Sequence, residues 1–281
     1  MCQNCQDALA LNRHYKGADL FLTATANPSW PEIQRELLPG QTAADRPDLV
    51  TRVFKLKMDE LKKDIEKHNI LGVSVARVYT IEFQKCGLPH MHMIIFLHHD
   101  SKLETSEDVD SLISAEFPDP EEEPELFELV KKLMVHGPCG ELNKTSPCME
   151  GDKCIRNFPK PFKTETTLFE NAYASYHRHD DGKKYTVGRQ QLEVDNRWVV
   201  PYCKFLLWKY RCHINLESVI SIKSIKYIYK YVYKGHDHTT VEFGKNVDEA
   251  KHYLDARYVC ACEAHWRLFQ FCMHEEKPAV V

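Results

Sequence analysis

The sequence lacks any long apolar run of the kind that crosses a membrane as a helix. No stretch of about eighteen consecutive apolar residues occurs in the 281-residue chain, so no transmembrane helix is expected. The N-terminus also lacks a charged head followed by an apolar segment, so no secretory signal is expected. The eleven cysteines form no small-scaffold disulfide pattern, and with fifteen histidines they indicate a reducing compartment and candidate metal ligands.

A nucleotide-binding loop is also missing. No Gly-x4-Gly-Lys-Ser/Thr segment occurs in the chain, so nothing is available to cradle ATP phosphates in the usual way. We therefore predict no ATPase activity from these residues.

An excess of positive charge is absent as well, since the formal net charge is −4. The distribution of charge is nevertheless uneven. Every charged residue in 116–128 is acidic, whereas 204–234 contains seven Lys or Arg and a single acidic residue, Glu217. The basic stretch favours a nucleic-acid partner, and the acidic run predicts a solvated linker over 104–128.

The most informative segment is a pair of histidines at the start of an apolar run, His90-Met91-His92. In an extended strand alternate side chains share one face, so the two imidazoles point the same way while Met91, Met93 and Ile95 point into the core. The spacing alone is equally compatible with a simple polar face of a strand.

A preceding strand over 73–84 is expected to pair with this one as a hairpin. With the polar residues in register, Glu82 and Gln84 lie on the face of His90 and His92. Two imidazoles and a carboxylate suit a divalent metal with open positions, and either Glu82 or Gln84 can be the third ligand.

A second distinctive segment, residues 224–235, repeats Tyr and Lys at four-residue spacing and ends at a glycine. We favour a helix with Tyr227 and Tyr231 on one face, although alternating aromatics also suit a strand. Phenol groups beside lysines could act as nucleophiles toward a phosphodiester. Tyr229 and Tyr233 have the same mutual spacing and remain a rival pair.

Residues 136–162 form a Cys- and His-rich stretch with several Gly and Pro residues. Three cysteines and one histidine in a loop can supply a tetrahedral structural Zn²⁺ site, although free thiols remain the alternative. The predicted ligands are His136, Cys139, Cys148 and Cys154. A second His-x-His pair, His177 and His179, lies in a hydrophilic turn and is interpreted as surface.

Several motifs together resemble the replication-initiator (Rep) domain of Helitron transposons, also called the Helitron helicase-like domain. This domain is a member of the HUH endonucleases. The resemblance spans most of the chain in order. The segments that carry it are 21–33, 82–92, 136–140, 195–202, 227–235 and 253–258.

The resemblance implies an α+β fold with an antiparallel central sheet, flanking helices, a ferredoxin/RRM-like core and a Cys/His-rich insertion. The domain is expected over 19–271, after a lead-in of residues 1–18 that looks truncated and before a tail of residues 272–281.

The resemblance also implies nicking and joining of single-stranded DNA in rolling-circle transposition. The metal would be Mg²⁺ or Mn²⁺, and the nucleophiles would form a 5′-phosphotyrosine link. A helicase domain would normally follow downstream in the same polypeptide, and the site of action would be nuclear. An inactive or host-adopted DNA-binding fragment is the alternative. The implied residues are His90, His92 and Glu82 for the metal, Tyr227 and Tyr231 for catalysis, and Lys226, Lys230, Lys234, Thr23, Thr25 and Asn27 for DNA binding.

Overall fold

The structure is a computed structural model that describes residues 10–84, 87–141, 143–168, 174–188, 191–219, 238–240, 255–257 and 259–279. Among these residues, no helix is both long and apolar enough to cross a membrane. The predicted tyrosine helix over 224–235 lies outside the described residues.

The described part of the chain contains both helices and strands. In order they are β1 (Leu20–Thr25), α1 (Pro31–Gln34), α2 (Pro47–Glu66), β2 (Ser74–Phe83), β3 (Pro89–Leu97), α3 (Ser106–Leu112), α4 (Pro124–Leu133), β4 (Met149–Glu150), β5 (Lys153–Cys154), β6 (Tyr185–Val187), β7 (Leu192–Val194), α5 (Lys204–Tyr210), β8 (Ile214–Ser218), β9 (His238–Thr240), β10 (Asp255–Arg257), α6 (Ala261–Leu268) and β11 (His274–Lys277).

A five-stranded antiparallel sheet organises the fold, with strand order β11-β2-β3-β1-β8. The run β1-α2-β2-β3, followed later by α5 and β8, is the split βαβ arrangement of ferredoxin-like folds. The remaining described strands form three two-stranded sheets. The predicted α+β class with an antiparallel central sheet is therefore confirmed.

One face of the sheet carries the main core. Leu22, Met91 and Met93 are fully buried there, as their alternation in sequence predicts. The same cluster contains apolar residues of α2, including Phe54 and Leu61. Helix α2 begins at Pro47, which suits the first helical position because a proline there gives up no helical hydrogen bond.

The residues expected as a C-terminal tail are part of the sheet. Strand β11 pairs antiparallel with β2 and places Glu275 opposite Tyr79. The guanidinium of Arg77, whose side chain is 5% exposed, donates to Glu275 at 3.2 Å and also pairs with Glu66 of α2. Residues His274–Lys277 of the predicted tail therefore form an edge strand of the sheet, and cross-strand ion pairs hold this polar strand in place.

The acidic stretch is likewise more ordered than the predicted linker over 104–128. Helix α3 and the start of α4 lie inside it, and Leu126 and Phe127 are buried. Its carboxylates reach the basic helix α5, where Glu123 accepts from Lys204 Nζ at 2.6 Å. The acidic run therefore docks on α5.

Candidate functional site

The second face of the sheet carries a polar patch at one end. Across β2, β3 and β1, Glu82 lies directly opposite His90, which lies opposite Thr25. The next row along the strands contains Thr80, His92 and Thr23. The hairpin register predicted from the sequence is confirmed, and it brings the three predicted metal ligands onto one surface.

This face changes character along the strands. Away from the histidines it becomes apolar, and the residues packed there include Phe21, Val78, Ile94, Phe96 and Val219. The polar patch is therefore confined to the end of the sheet where β3 begins.

His90 is held by a neighbour on β1. Its Nδ1 lies 2.6 Å from the hydroxyl oxygen of Thr25, which leaves Nε2 as the ring nitrogen available to a metal. Burial, followed by repulsion from His92 and His213, holds the pKa of His90 well below its usual value. At neutral pH the ring is neutral, which is the form that coordinates metals.

His92 and Glu82 contact each other directly. The Nε2 atom of His92 lies 3.4 Å from Glu82 Oε2, and the His90 and His92 rings have centroids 4.5 Å apart. Gln84, the alternative third ligand, follows the end of β2, and its backbone N–H donates to the Leu88 carbonyl in the hairpin turn. Register therefore favours Glu82 as the partner of the two imidazoles.

The DNA-binding role of the first-motif residues stays a prediction, and the described structure shows the contacts that they make within the protein. Thr23 and Thr25 are 7% and 8% exposed, and the Thr25 hydroxyl contacts His90. Asn27 donates to the Arg211 carbonyl at 2.7 Å and accepts from the Ser29 N–H at 2.9 Å. Thr25 therefore positions a histidine, and Asn27 shapes a turn.

His213 extends the polar patch across the sheet. The backbone N–H of Thr25 donates to the His213 carbonyl, which places His213 beside β1 in the His90 row. Its Nδ1 lies 2.8 Å from the carbonyl of Leu133, and burial lowers its pKa. Two neutral imidazoles thus flank Thr25.

The predicted zinc ligands converge in the insertion. The ligand atoms of His136, Cys139, Cys148 and Cys154 all lie within 4.8 Å of one another, and this cluster could hold a metal such as zinc. His136 Nε2 lies 3.3 Å from Cys148 Sγ and 3.5 Å from Cys154 Sγ. Tetrahedral zinc with ordinary Zn–S and Zn–N bonds needs S···N separations of about 3.5 Å, so the arrangement fits.

The protonation state of His136 also suits a metal. Burial, aided by repulsion from Arg156 and Lys160, lowers the pKa of His136 to about 4, so the ring is neutral at pH 7. Its ring stacks on Phe158, with centroids 4.2 Å apart. Because the ring is fixed and neutral before any metal arrives, little reorganisation is needed for binding.

One exposed cation links the insertion to the histidine patch. Arg156, which follows β5, lowers the pKa values of His90, His136 and His213 through charge repulsion. Its charge therefore acts on both candidate metal sites. No local pattern predicts this role, because Arg156 lies 66 positions after His90.

His177 and His179, which we interpreted from the sequence as surface residues, lie close to a carboxylate from another part of the chain. His179 is exposed, but His177 is half-buried, and their ligand atoms cluster with that of Glu116. Only the His-x-His spacing could have signalled this group, because Glu116 lies 61 residues before His177.

The basic residues predicted to favour DNA are partly neutralised. Lys204 pairs with Glu123, Lys209 with Asp64, and Arg211 with Glu125. The other four cations of the 204–234 stretch, including Lys226, Lys230 and Lys234, lie outside the described residues. Tyr227 and Tyr231 lie outside them as well, so their catalytic role stays a prediction.

Comparison with known proteins supports the resemblance at the N-terminal end. No match was found among curated proteins. The family model of the Helitron helicase-like domain at the N-terminus matches residues 1–95, a segment that includes β1, β2 and the histidine pair of β3. The match supports a transposon-related DNA-processing role and interaction with DNA in general. The first third of the chain is therefore similar to the Helitron helicase-like domain at the N-terminus of its family.

Proposed function

We propose that this protein nicks and rejoins single-stranded DNA at transposon ends in the nucleus, with a divalent metal and a tyrosine nucleophile. The observation that carries the proposal is the polar patch formed by Glu82, His90 and His92 on adjacent strands. Its location in a sequence segment that matches the Helitron helicase-like family model supports a DNA substrate for this patch.

The patch is built for a fixed geometry. Strand β3 is paired on both sides, by β2 and by β1, so the backbone of the two histidines cannot shift without breaking the central sheet. Sites held by regular secondary structure are positioned more precisely than sites on loops. The Thr25 contact adds a second constraint on His90.

The donor set fits a divalent metal. His90 and His92 would supply imidazole nitrogens and Glu82 a carboxylate oxygen, a combination that leaves coordination positions open. The neutral state of His90 removes the proton that would compete with a metal. When bound, such an ion would polarise the scissile phosphate and offset the charge that develops on its oxygens.

The protein's own groups would carry out the bond changes. The phenol oxygen of Tyr227 or Tyr231 would attack phosphorus after losing its proton, forming a phosphotyrosine bond. The bond between phosphorus and the 3′ oxygen would break, and that oxygen would leave as a 3′-hydroxyl after gaining a proton. Because the new bond is also a phosphodiester, the reverse attack by a 3′-hydroxyl would join strands.

Arg156 supplies a further reason to expect a phosphate near the histidines. Its guanidinium is exposed and acts electrostatically on His90 and His213. A cation beside a candidate metal site is suited to hold a flanking DNA phosphate, a contact that carries no sequence information.

The test is a covalent-adduct assay with labelled single-stranded DNA and Mn²⁺ or Mg²⁺. The unmodified chain is expected to form an adduct that survives denaturation, and the double variant Tyr227→Phe/Tyr231→Phe is expected to lose it. The matched control is Tyr229→Phe/Tyr233→Phe, which removes two phenols at the same spacing. Loss of the adduct only in the control would move the nucleophile to that rival pair.

A second arm separates the metal from the nucleophile. His90→Ala/His92→Ala is expected to abolish nicking at every metal concentration while leaving the tyrosines intact. If the unmodified chain binds single-stranded DNA but forms no adduct with either metal, the protein is an inactive or host-adopted DNA-binding fragment and the nicking proposal is wrong.

A further inference from the structure

A second group of metal-type ligands lies away from the β2-β3 hairpin. It consists of Glu116, which follows α3, and of His177 and His179 in the segment before β6. The Nε2 atom of His177 lies 3.2 Å from Glu116 Oε2, and Nδ1 of His179 lies 3.3 Å from the same oxygen. One carboxylate oxygen thus faces two ring nitrogens at nearly equal distances.

These separations match those between ligands of one metal ion. With bonds of 2.0–2.1 Å to each ligand, as zinc makes to nitrogen and oxygen, the edge of a tetrahedron is about 3.3 Å. All three ligand atoms lie within 4.8 Å of one another. An ion could therefore bind with little movement of the three side chains.

The outer ring nitrogen of His177 is held in the way that metal-binding histidines usually are. Its Nδ1 lies 3.1 Å from Asp110 Oδ1, and the Thr166 hydroxyl donates to that same oxygen at 2.5 Å. A carboxylate on the far ring nitrogen fixes the tautomer and makes the near nitrogen a better ligand. This contact is independent of Glu116 and points the free ring edge toward it.

The backbone between the two histidines is fixed from inside the protein. Arg178 is 3% exposed, and its Nη1 donates to the carbonyls of Ala115, Asn196 and Val199 at 2.6–2.7 Å. Because neighbouring side chains in an extended segment point to opposite sides, anchoring Arg178 inward directs both histidines outward. The Asn196 amide also donates to the His179 carbonyl at 3.0 Å.

We propose that Glu116, His177 and His179 form a binding site for a divalent transition-metal ion of the zinc class, with Asp110 as the outer partner of His177. The ion would link the segment after α3 to the segment before β6, and a fourth position would remain open for water. The site is separate from the Cys/His cluster and from the β3 histidines, and it does not depend on the nicking proposal.

The competing explanation is a metal-free ion pair between Glu116 and a protonated histidine. Contacts at 3.0–3.3 Å are compatible with both explanations, so the test must measure metal binding itself. The probe is Co²⁺, added to the full chain carrying His90→Ala/His92→Ala so that the similar donor set on β3 is absent. Cobalt in the Cys/His cluster is identified by its thiolate-to-metal charge-transfer absorption, which imidazole and carboxylate ligands do not give.

In this background the chain is expected to bind one Co²⁺ with the thiolate signature and one without it. His179→Gln is expected to weaken the second ion about tenfold or more and to leave the thiolate signature unchanged. The His179 side chain is 57% exposed, so the substitution does not disturb the interior. The matched control is His99→Gln, which removes an imidazole that is 76% exposed and lies 2.9 Å from Asp100.

The variant Asp110→Asn is a more specific test, because it removes the outer partner of His177 and leaves all three proposed metal ligands in place. Loss of an outer carboxylate typically weakens metal binding about 10–100-fold, and the same loss is expected here. Equal Co²⁺ affinity in the background, His179→Gln and Asp110→Asn chains would overturn the proposal in favour of the ion pair. An equal loss in His99→Gln would also overturn it, because the binding would then be nonspecific capture by exposed imidazoles.

Discussion

Removing the Thr25 hydroxyl should weaken metal binding at the β3 histidines. The variant Thr25→Val keeps the shape of the side chain but deletes the oxygen that lies 2.6 Å from His90 Nδ1. That oxygen fixes the ring so that Nε2 faces the patch. Partners of this kind typically contribute about 10–100-fold in metal affinity, equivalent to about 1.4–2.7 kcal/mol.

The effect on folding should be smaller than the effect on the metal. A single hydrogen bond contributes about 0.5–1.5 kcal/mol to stability, and valine restores apolar contacts in a side chain that is 8% exposed. We therefore expect the metal-free Thr25→Val chain to unfold at nearly the denaturant midpoint of the unmodified chain. The Mn²⁺ affinity, measured by calorimetry in chains carrying His177→Gln and His179→Gln, should fall by one to two orders of magnitude.

Two controls distinguish positioning from packing. Thr25→Ser keeps the hydroxyl and should retain most of the affinity, whereas Thr23→Val alters the neighbouring row opposite His92 without touching the His90 contact. Equal Mn²⁺ affinities for Thr25→Val and the unmodified chain would refute the reasoning. So would a matching loss in Thr23→Val, because the effect would then be general to the face.

Four further outcomes are expected. Chelation of zinc should remove hydrogen-exchange protection from 136–162 while β3 stays protected, and equal loss at both would contradict a local structural site. Arg156→Ala should weaken single-stranded DNA binding and reduce its salt dependence by about one counterion, and an unchanged salt slope would exclude a phosphate contact. Asp64→Asn should lower the unfolding free energy, measured by urea titration, by about 1–3 kcal/mol, because buried Asp64 accepts hydrogen bonds from Lys209 and from the Tyr210 hydroxyl at 2.6 Å. In the same titration the surface control Glu60→Gln should lower it by less than about 0.5 kcal/mol. Hydrogen bonds from Arg46 lower the pKa of Asp48 to about 2, below the ordinary aspartate pKa of 3.8. The unmodified chain should therefore be more stable than Asp48→Asn above pH 3.8, and this difference in unfolding free energy should disappear as the pH falls to 2. A difference that does not change with pH would contradict that assignment.

Local periodicity was enough to predict the central part of the fold. Alternation in β3 placed Met91 and Met93 in the core and the two histidines on the other face, because a strand has only two sides. Pairing of neighbouring strands then fixed Glu82 opposite His90. The Cys/His cluster was also predictable, because its four ligands occur within nineteen residues of one another.

Contacts between distant segments could not be predicted in the same way. From the sequence, strand β11 resembles a polar tail, and its charges are paired by residues about two hundred positions earlier, among them Arg77 and Glu66. The position of His177 and His179 beside Glu116 likewise depends on the hydrogen bonds from Arg178 to three backbone carbonyls in distant segments. Such pairings arise from the packing of the whole chain, which a single sequence does not display.

The direction of β8 determines how far the chain that follows it must extend for a tyrosine to reach the histidine patch. Strand β8 runs away from the histidines, and its last residue, Ser218, lies opposite Leu20. That point is about 17 Å along the strands from the Thr25 row. Tyr227 follows Val219 by eight residues, a tether of at most about 29 Å if fully extended and about 12 Å if wholly helical. For either phenol to reach a phosphate on the histidine patch, the segment between Val219 and the tyrosine would have to span this distance back toward the Thr25 row. Tyr231 meets this requirement more easily than Tyr227, because its tether is four residues longer.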